Sequence, residues 1–134
     1  VSVDLDELNA AAWKSEAALV YIANPDNPTG QVHTPEAITN LRKSLPPTTT
    51  LLVDEAYIDF SPSNALRLSP RTELWQNTVQ LRTLSKSYGL AGLRVGYAIA
   101  DEAWVDKADQ IRPHYGINTL SSALAEKVLA VPDF

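Results

Sequence analysis

The sequence predicts an α/β fold, a three-layer αβα sandwich with a mostly parallel sheet. Short apolar runs typical of strands buried on both faces are separated by segments that carry helix-start signals. A polar segment follows each of the first three runs, and ligands of such sheets bind beyond the carboxyl ends of the strands. The 134 residues make one domain by the usual relation of length to domain number.

The chain opens with a predicted helix and strand. Asp4 and Glu7, three residues apart, resemble a capping box, which predicts a helix from Asp4 to about Ser15. Residues 18–23 form a continuous apolar run, which predicts a strand buried on both faces. The first polar segment, residues 24–30, follows this strand directly.

A second helix and strand follow. Thr34 before Pro35 is a helix start, because proline at the first helical position loses only an amide that has no partner. The helix is expected to end before Pro46, and residues 50–53 read as the second apolar strand. Residues 61–70 are rich in proline and serine and predict an irregular connection.

The last part of the chain is predicted to hold two strands and two helices. Residues 79–84 read as the third strand and residues 94–100 as a fourth, close enough to the third to pair antiparallel with it, although the length of the loop alone does not fix the direction. Helices are predicted from Asp101 to about Ile111 and from Asn118 or Thr119 to about Ala130.

Composition excludes several classes of function. The net charge of -5 and the scattered basic residues give no surface for nucleic acid. No apolar segment is long enough to cross a bilayer, so a membrane protein is not expected. The chain has no cysteine, and its two histidines, His33 and His114, are far apart in sequence, which argues against a metal enzyme. We expect both histidines to be structural or merely exposed.

The third polar segment contains Lys86, a candidate nucleophile. A lysine amine forms a Schiff base with an aldehyde when its surroundings favour loss of its proton. The hydroxyls of Thr83 and Ser85 flank it, and Arg94 supplies the charged donor that a phosphate ester needs. Alternatively, Lys86 is a solvated loop residue and Arg94 pairs with a carboxylate.

The second polar segment offers a carboxylate and a phenol. Asp54 ends an apolar strand, where burying an unpaired carboxylate is costly unless a cationic N–H meets it. Tyr57 lies three residues on and can reach the same ligand. The alternative interpretation is that the acids cap the start of a helix.

The first polar segment adds an amide on a stiff loop. Residues 24–30 contain two prolines and a glycine, which by themselves indicate only an ordered turn. Asn27 within it carries a side-chain amide able to donate to a ligand oxygen.

Together, the three strings NPDNPTG, DEAYIDF and TLSKSYGLAGLRVGY, in this order, closely resemble the fold-type I pyridoxal-phosphate aminotransferases of class I/II, most nearly their histidinol-phosphate aminotransferase branch. The resemblance implies that Lys86 is the Schiff-base lysine and proton shuttle, and that Asp54 meets the pyridine nitrogen of pyridoxal 5'-phosphate. It also implies that Asn27 and Tyr57 contact the ring oxygen. The positions matching the phosphate-binding residues are Thr83, Ser85 and Arg94.

The same resemblance implies what the protein does. Residues 1–134 would be a partial large, cofactor-binding domain of the PLP-transferase fold, excised from a longer chain. The activity would be transfer of an amino group from a small-molecule donor to a 2-oxo acid, with histidinol phosphate and 2-oxoglutarate as the expected pair in histidine biosynthesis. A cytoplasmic homodimer with active sites at the subunit interface is expected, and the isolated fragment is expected to be inactive.

Two alternatives stay open at this point. One is a related lyase or decarboxylase acting on amino-acid phosphates, since such enzymes share these strings. The other is a non-catalytic regulatory domain of aminotransferase type. Residues 112–118 depart from the segment usual in the histidinol-phosphate branch, which puts contacts assigned there, including one by His114, in doubt.

Overall fold

The computed structural model describes residues 3–61, 68 and 76–131. Helices and strands alternate along the chain in the order α1 (Leu5–Ser15), β1 (Leu19–Ala23), α2 (Pro35–Ser44), β2 (Thr50–Asp54), β3 (Thr78–Thr83), β4 (Gly96–Ile99), α3 (Glu102–Ile111) and α4 (Thr119–Leu129). Short 3-10 turns lie at Ile58–Phe60 and Ala91–Leu93. The predicted α/β class is confirmed.

The four described strands form one sheet in the order β1-β2-β3-β4. Strands β1, β2 and β3 are parallel, and β4 runs antiparallel to β3, as the short loop between them suggested. Ala23 pairs with Asp54, and Asp54 pairs with Leu81, so the parallel strands end at a common edge. The polar segments that follow them therefore start side by side.

Every predicted helix start is confirmed by a capping contact. In each case the side chain before the helix accepts a hydrogen bond from a backbone N–H of the first turn, which would otherwise lack a partner. The capping residues are Asp4, Thr34, Asp101 and Asn118.

The main core lies on one face of β1 and β2. Val20 and Ile22 of β1 and Val53 of β2 pack against α1 and α2, where Ala12 and Ile38 are buried. On the opposite face of β1, Leu19 is 53% and Tyr21 52% exposed. The prediction that the first strand is buried on both faces is therefore wrong for the described residues, because α1 and α2 cover only one of them.

A second, smaller cluster lies beyond β3. Leu84, which directly follows β3, packs with Val95, which precedes β4, and with Ala125 of α4. Tyr88 and Leu90 pack against this cluster from the loop between the two strands. The loop that carries Lys86 thus has an apolar base.

The fourth strand starts two residues later than predicted. Strand β4 starts at Gly96 and not at residue 94, because Arg94 is left-handed with φ 55° and cannot continue an extended strand. The predicted irregular connection over 61–70 lies outside the described residues except for Ser61 and Leu68. None of the helices in the described part of the chain combines the length and the apolar character that a membrane span requires.

Gly96, the first residue of β4, has no room for a β-carbon. A β-carbon added there would lie 2.8 Å from the carbonyl oxygen of Arg82 on β3. We expect Gly96→Ala to lower the free energy of unfolding by about 1–3 kcal/mol, since the strand must shift to relieve the overlap. The matched control is Gly92→Ala, where an added β-carbon meets nothing within 4 Å. Equal melting temperatures for the two variants would contradict the prediction.

Candidate functional site

The three polar segments meet at the carboxyl edge of the sheet, as predicted. The backbone N–H of Asn24 donates to the carbonyl of Asp54 at 2.8 Å, and that of Glu55 donates to Leu81 at 2.9 Å. These bonds continue the sheet by one residue beyond β1 and β2. Side chains from segments 30 residues apart are thereby placed within contact distance.

The loop after β1 is fixed by a side chain whose role the sequence analysis did not recognise. The amide of Asn24 is fully buried and exchanges two hydrogen bonds with the backbone of His33, at 2.8 and 3.1 Å. Within the loop, the N–H of Gly30 donates to the carbonyl of Asp26 at 2.9 Å, and Gly30 has φ 71°. Asn27 is therefore presented from a closed loop.

Asn27, Tyr57 and Lys86 form one group. The side-chain amide of Asn27 donates to the Tyr57 hydroxyl at 3.0 Å. The amine of Lys86 lies 5.3 Å from the centre of the Tyr57 ring, within the range of a cation–π contact. Tyr57 is thus in contact with an amide from one polar segment and near an amine from another.

The loop that carries Lys86 is closed by its own backbone. The N–H of Gly89 donates to the carbonyl of Lys86 at 2.9 Å, and that of Leu90 donates to Leu84 at 3.0 Å. The Ser87 hydroxyl donates to the Asp59 carboxylate at 2.7 Å. The loop is thus tied at three points, and the Lys86 side chain extends from it into an exposed position.

Asp54 is held at both carboxylate oxygens. Its Oδ1 accepts from the N–H of Ala56 at 3.0 Å, and its Oδ2 accepts from the hydroxyl of Tyr21 at 2.9 Å. The first contact is a local turn and not the helix cap considered as the alternative in the sequence analysis, because the 3-10 turn at Ile58–Phe60 has Tyr57 before it and no side-chain cap. The second contact reaches across the sheet.

These side chains line a pocket of about 210 Å³. Its lining residues are Tyr21, Ala23, Pro25, Asn27, Asp54, Ala56 and Tyr57. A carboxylate and an amide–phenol pair therefore share one small cavity, with the Lys86 amine beside the phenol ring.

The predicted phosphate-binding residues lie at the end of the β3–β4 pair. The Thr83 hydroxyl accepts from the N–H of Ser85 at 3.1 Å, and the N–H of Leu84 donates to the carbonyl of Val95 at 3.2 Å. This bond places Val95, which follows Arg94, beside Leu84, which precedes Ser85. The Arg94 guanidinium is exposed and donates through Nη1 to the carbonyl of Ala91 at 3.1 Å.

A buried ion pair lies beneath the site, and the sequence analysis did not predict it. Arg82 Nε lies 2.6 Å from the Glu55 carboxylate, whose side chain is fully buried. Arg82 Nη1 also lies 3.9 Å from Asp59, the residue that accepts from Ser87. Asp59 therefore connects Arg82 of β3 with the loop of Lys86.

None of the site contacts described above involves the side chain of a histidine. The His33 backbone closes the loop after β1, and its side chain is partly buried. His114 lies exposed between α3 and α4.

Comparison with known proteins finds similar sequences and similar solved structures. A histidinol-phosphate aminotransferase of Limosilactobacillus fermentum is 42% identical over 132 residues, which cover 96% of this chain and 36% of that protein. The structure of histidinol-phosphate aminotransferase from Sinorhizobium meliloti in complex with pyridoxal-5'-phosphate superimposes with a TM-score of 0.82 at 38% identity, covering 94% of this chain and 36% of that one. L-threonine-O-3-phosphate decarboxylase from Porphyromonas gingivalis superimposes with a TM-score of 0.78 at 26% identity, covering 95% and 38%.

The chain thus spans just over a third of the length of the relatives that it matches. The sequence model described as "Aminotransferase class I and II" matches residues 1–134, which include the sheet edge with its amide, carboxylate and lysine segments. A match over the whole chain, together with the shared fold, shows that the chain belongs to the class I and II aminotransferase family.

Proposed function

We propose that residues 1–134 are part of the large domain of a pyridoxal-phosphate-dependent aminotransferase. The observation that carries the proposal is that Asn27, Asp54 and Tyr57 line one pocket at the sheet edge, with the Lys86 amine 5.3 Å from the centre of the Tyr57 ring. Asp54 and Tyr57 line the pocket together, so the acid and the group beside the amine face the same space.

The donors and acceptors of the pocket fit pyridoxal 5'-phosphate group by group. The Asp54 carboxylate is an acceptor for a protonated ring nitrogen. The Asn27 amide and the Tyr57 hydroxyl, 3.0 Å apart, are donors for a ring oxygen. The amine of Lys86 is the group that holds an aldehyde carbon. Thr83, Ser85 and Arg94 would hold the phosphate ester.

When bound, the cofactor supplies an electron-accepting ring that stabilises negative charge on the substrate carbon. The residues of this chain orient it and move the proton. Asp54 keeps the proton on the ring nitrogen, and Asn27 and Tyr57 fix the ring by its oxygen. The Lys86 amine would take a proton from the substrate carbon and return it to the cofactor carbon, after which water would release the ketone and the amino group would stay with the cofactor for transfer to the acceptor.

For substrates, we propose L-histidinol phosphate as amino donor and 2-oxoglutarate as acceptor. The identity of 42% to a histidinol-phosphate aminotransferase supports this choice. We also propose that the whole protein is a homodimer, and a cytoplasmic location stays a prediction of the resemblance.

The test uses the protein expressed from its whole reading frame and supplied with pyridoxal phosphate. Candidate donors are histidinol phosphate, aspartate and an aromatic amino acid, each with 2-oxoglutarate, and glutamate formation is measured. We expect histidinol phosphate to give the highest kcat/KM. A higher kcat/KM for another donor would overturn the proposal of histidinol phosphate as substrate. If no donor gives glutamate, the proposal of amino transfer is overturned.

A second candidate is decarboxylation of an amino-acid phosphate. The neighbour that favours it is the L-threonine-O-3-phosphate decarboxylase structure, with a TM-score of 0.78. Adding threonine O-phosphate to the same assay and measuring carbon dioxide distinguishes the two reactions. Carbon dioxide release without any ketone would favour the decarboxylase.

A further inference from the structure

Tyr21 makes a contact that neither the motifs nor the proposed roles account for. Its hydroxyl donates to Oδ2 of Asp54 at 2.9 Å, across 33 residues of sequence. Tyr21 also lines the pocket with Asp54. Tyr21 is therefore a lining residue of the pocket that binds the acid proposed to meet the ring nitrogen.

The register of β1 explains why this tyrosine reaches that acid. Ala23 pairs with Asp54, and Tyr21 pairs with Leu52, two residues earlier on both strands. Side chains two residues apart on a strand share a face, so Tyr21 stands on the face that carries Asp54. This is the face of β1 that α1 and α2 leave uncovered.

The phenol remains a donor under all ordinary conditions. Partial burial, the hydrogen bond to Asp54 and the nearby charges of Asp54 and Asp26 raise the pKa of Tyr21 to about 12. A phenol that keeps its proton cannot accept a proton from Asp54, so it acts on the acid only by donating.

Donation to a carboxylate favours its charged form. Asp54 has roughly four acceptor positions on its two oxygens, and the contacts with Ala56 and Tyr21 use one on each oxygen. Acceptor capacity therefore remains for a ring N–H. Without the phenol, the negative charge of Asp54 would lose one hydrogen-bond donor, and a proton shared with a ring nitrogen would shift toward the carboxylate.

We propose that Tyr21 is a positioning residue, which fixes the orientation of Asp54 and keeps it charged, so that the ring nitrogen of a bound pyridinium cofactor stays protonated. The inference rests on the proposed function. It goes beyond that function by assigning a role to a residue of β1 that lies outside the three sequence motifs.

The test compares Tyr21→Phe with wild type in the protein expressed from its whole reading frame. The substitution keeps the aromatic ring and removes only the hydroxyl. We expect the dissociation constant for pyridoxal phosphate to rise roughly tenfold, as for loss of one hydrogen bond to a charged group. We also expect NMR of isotope-labelled ring nitrogen to move toward the unprotonated value. Tyr115→Phe, at a tyrosine that is 98% exposed, is the matched control.

The outcomes separate this inference from the proposed function. If wild-type protein fails to bind the cofactor, both are overturned. If wild type binds it and Tyr21→Phe behaves as Tyr115→Phe does, only the role of Tyr21 is overturned. Weaker binding with an unchanged nitrogen signal also overturns it, because loss of packing alone would produce that result.

Discussion

Replacing Lys86 by alanine is expected to lower kcat by at least about 10²–10⁴-fold, the usual contribution of a positioned proton-transfer group. The amine is the only basic nitrogen that the described structure places beside Tyr57. In the proposed function, its loss would remove both the group that holds the aldehyde and the group that moves the proton. The absorption band of protein-bound pyridoxal phosphate should disappear in the same variant, which is measured by difference spectroscopy.

Two further variants define what Lys86 contributes. Lys86→Arg keeps a positive charge over the Tyr57 ring, but a guanidinium does not lose its proton in proteins, so this variant should be as inactive as the alanine variant. Lys107→Ala, on the exposed surface of α3, should retain wild-type activity. Near-normal turnover in either Lys86 variant would show that another group carries the proton.

Replacing Arg82 by methionine is expected to have the largest effect on stability. Glu55 is fully buried, and Arg82 is only 10% exposed at its side chain, so the pair is largely removed from water. Methionine leaves the buried carboxylate without its cation, which costs about 3–5 kcal/mol of the free energy of unfolding. The measurement is the urea midpoint and melting temperature of the cofactor-free protein.

Matched variants isolate the effect of burial. Arg112 pairs with Asp109 at 2.7 Å, but these side chains are 68% and 58% exposed. Arg112→Met should therefore change the free energy of unfolding by less than about 0.5 kcal/mol. Adding Glu55→Leu to Arg82→Met should restore much of the loss, because a paired deletion leaves no buried charge. A double variant no more stable than Arg82→Met would contradict this account.

The local part of the structure was predictable from sequence. Asp4, Thr34 and Asp101 start their helices because a capping contact spans only two or three residues. The parallel order of β1, β2 and β3 followed from strands separated by helices, and it brought the polar segments to one edge. The positions of Asn27, Tyr57 and Lys86 follow from that topology, whereas their roles toward a cofactor stay predictions.

The contacts that organise the site from a distance were not predictable. The pair of Glu55 and Arg82 spans 27 residues, and the bond from Tyr21 to Asp54 spans 33. Neither residue spacing nor hydrophobic period specifies such a partner, since both depend on the register between strands. The exposure of Leu19 was missed for a related reason, because an apolar run does not indicate whether anything covers its outer face.

The closed loop around Lys86 has a consequence for hydrogen exchange. Gly89 is exposed, yet its N–H and that of Leu90 donate to carbonyls of the same loop. These two amides should therefore exchange with deuterium more slowly than their position in a loop suggests. In the proposed function, such a backbone would be a fixed pivot beneath the exposed Lys86 side chain, from which the amine would move between two carbons without any rearrangement of the main chain.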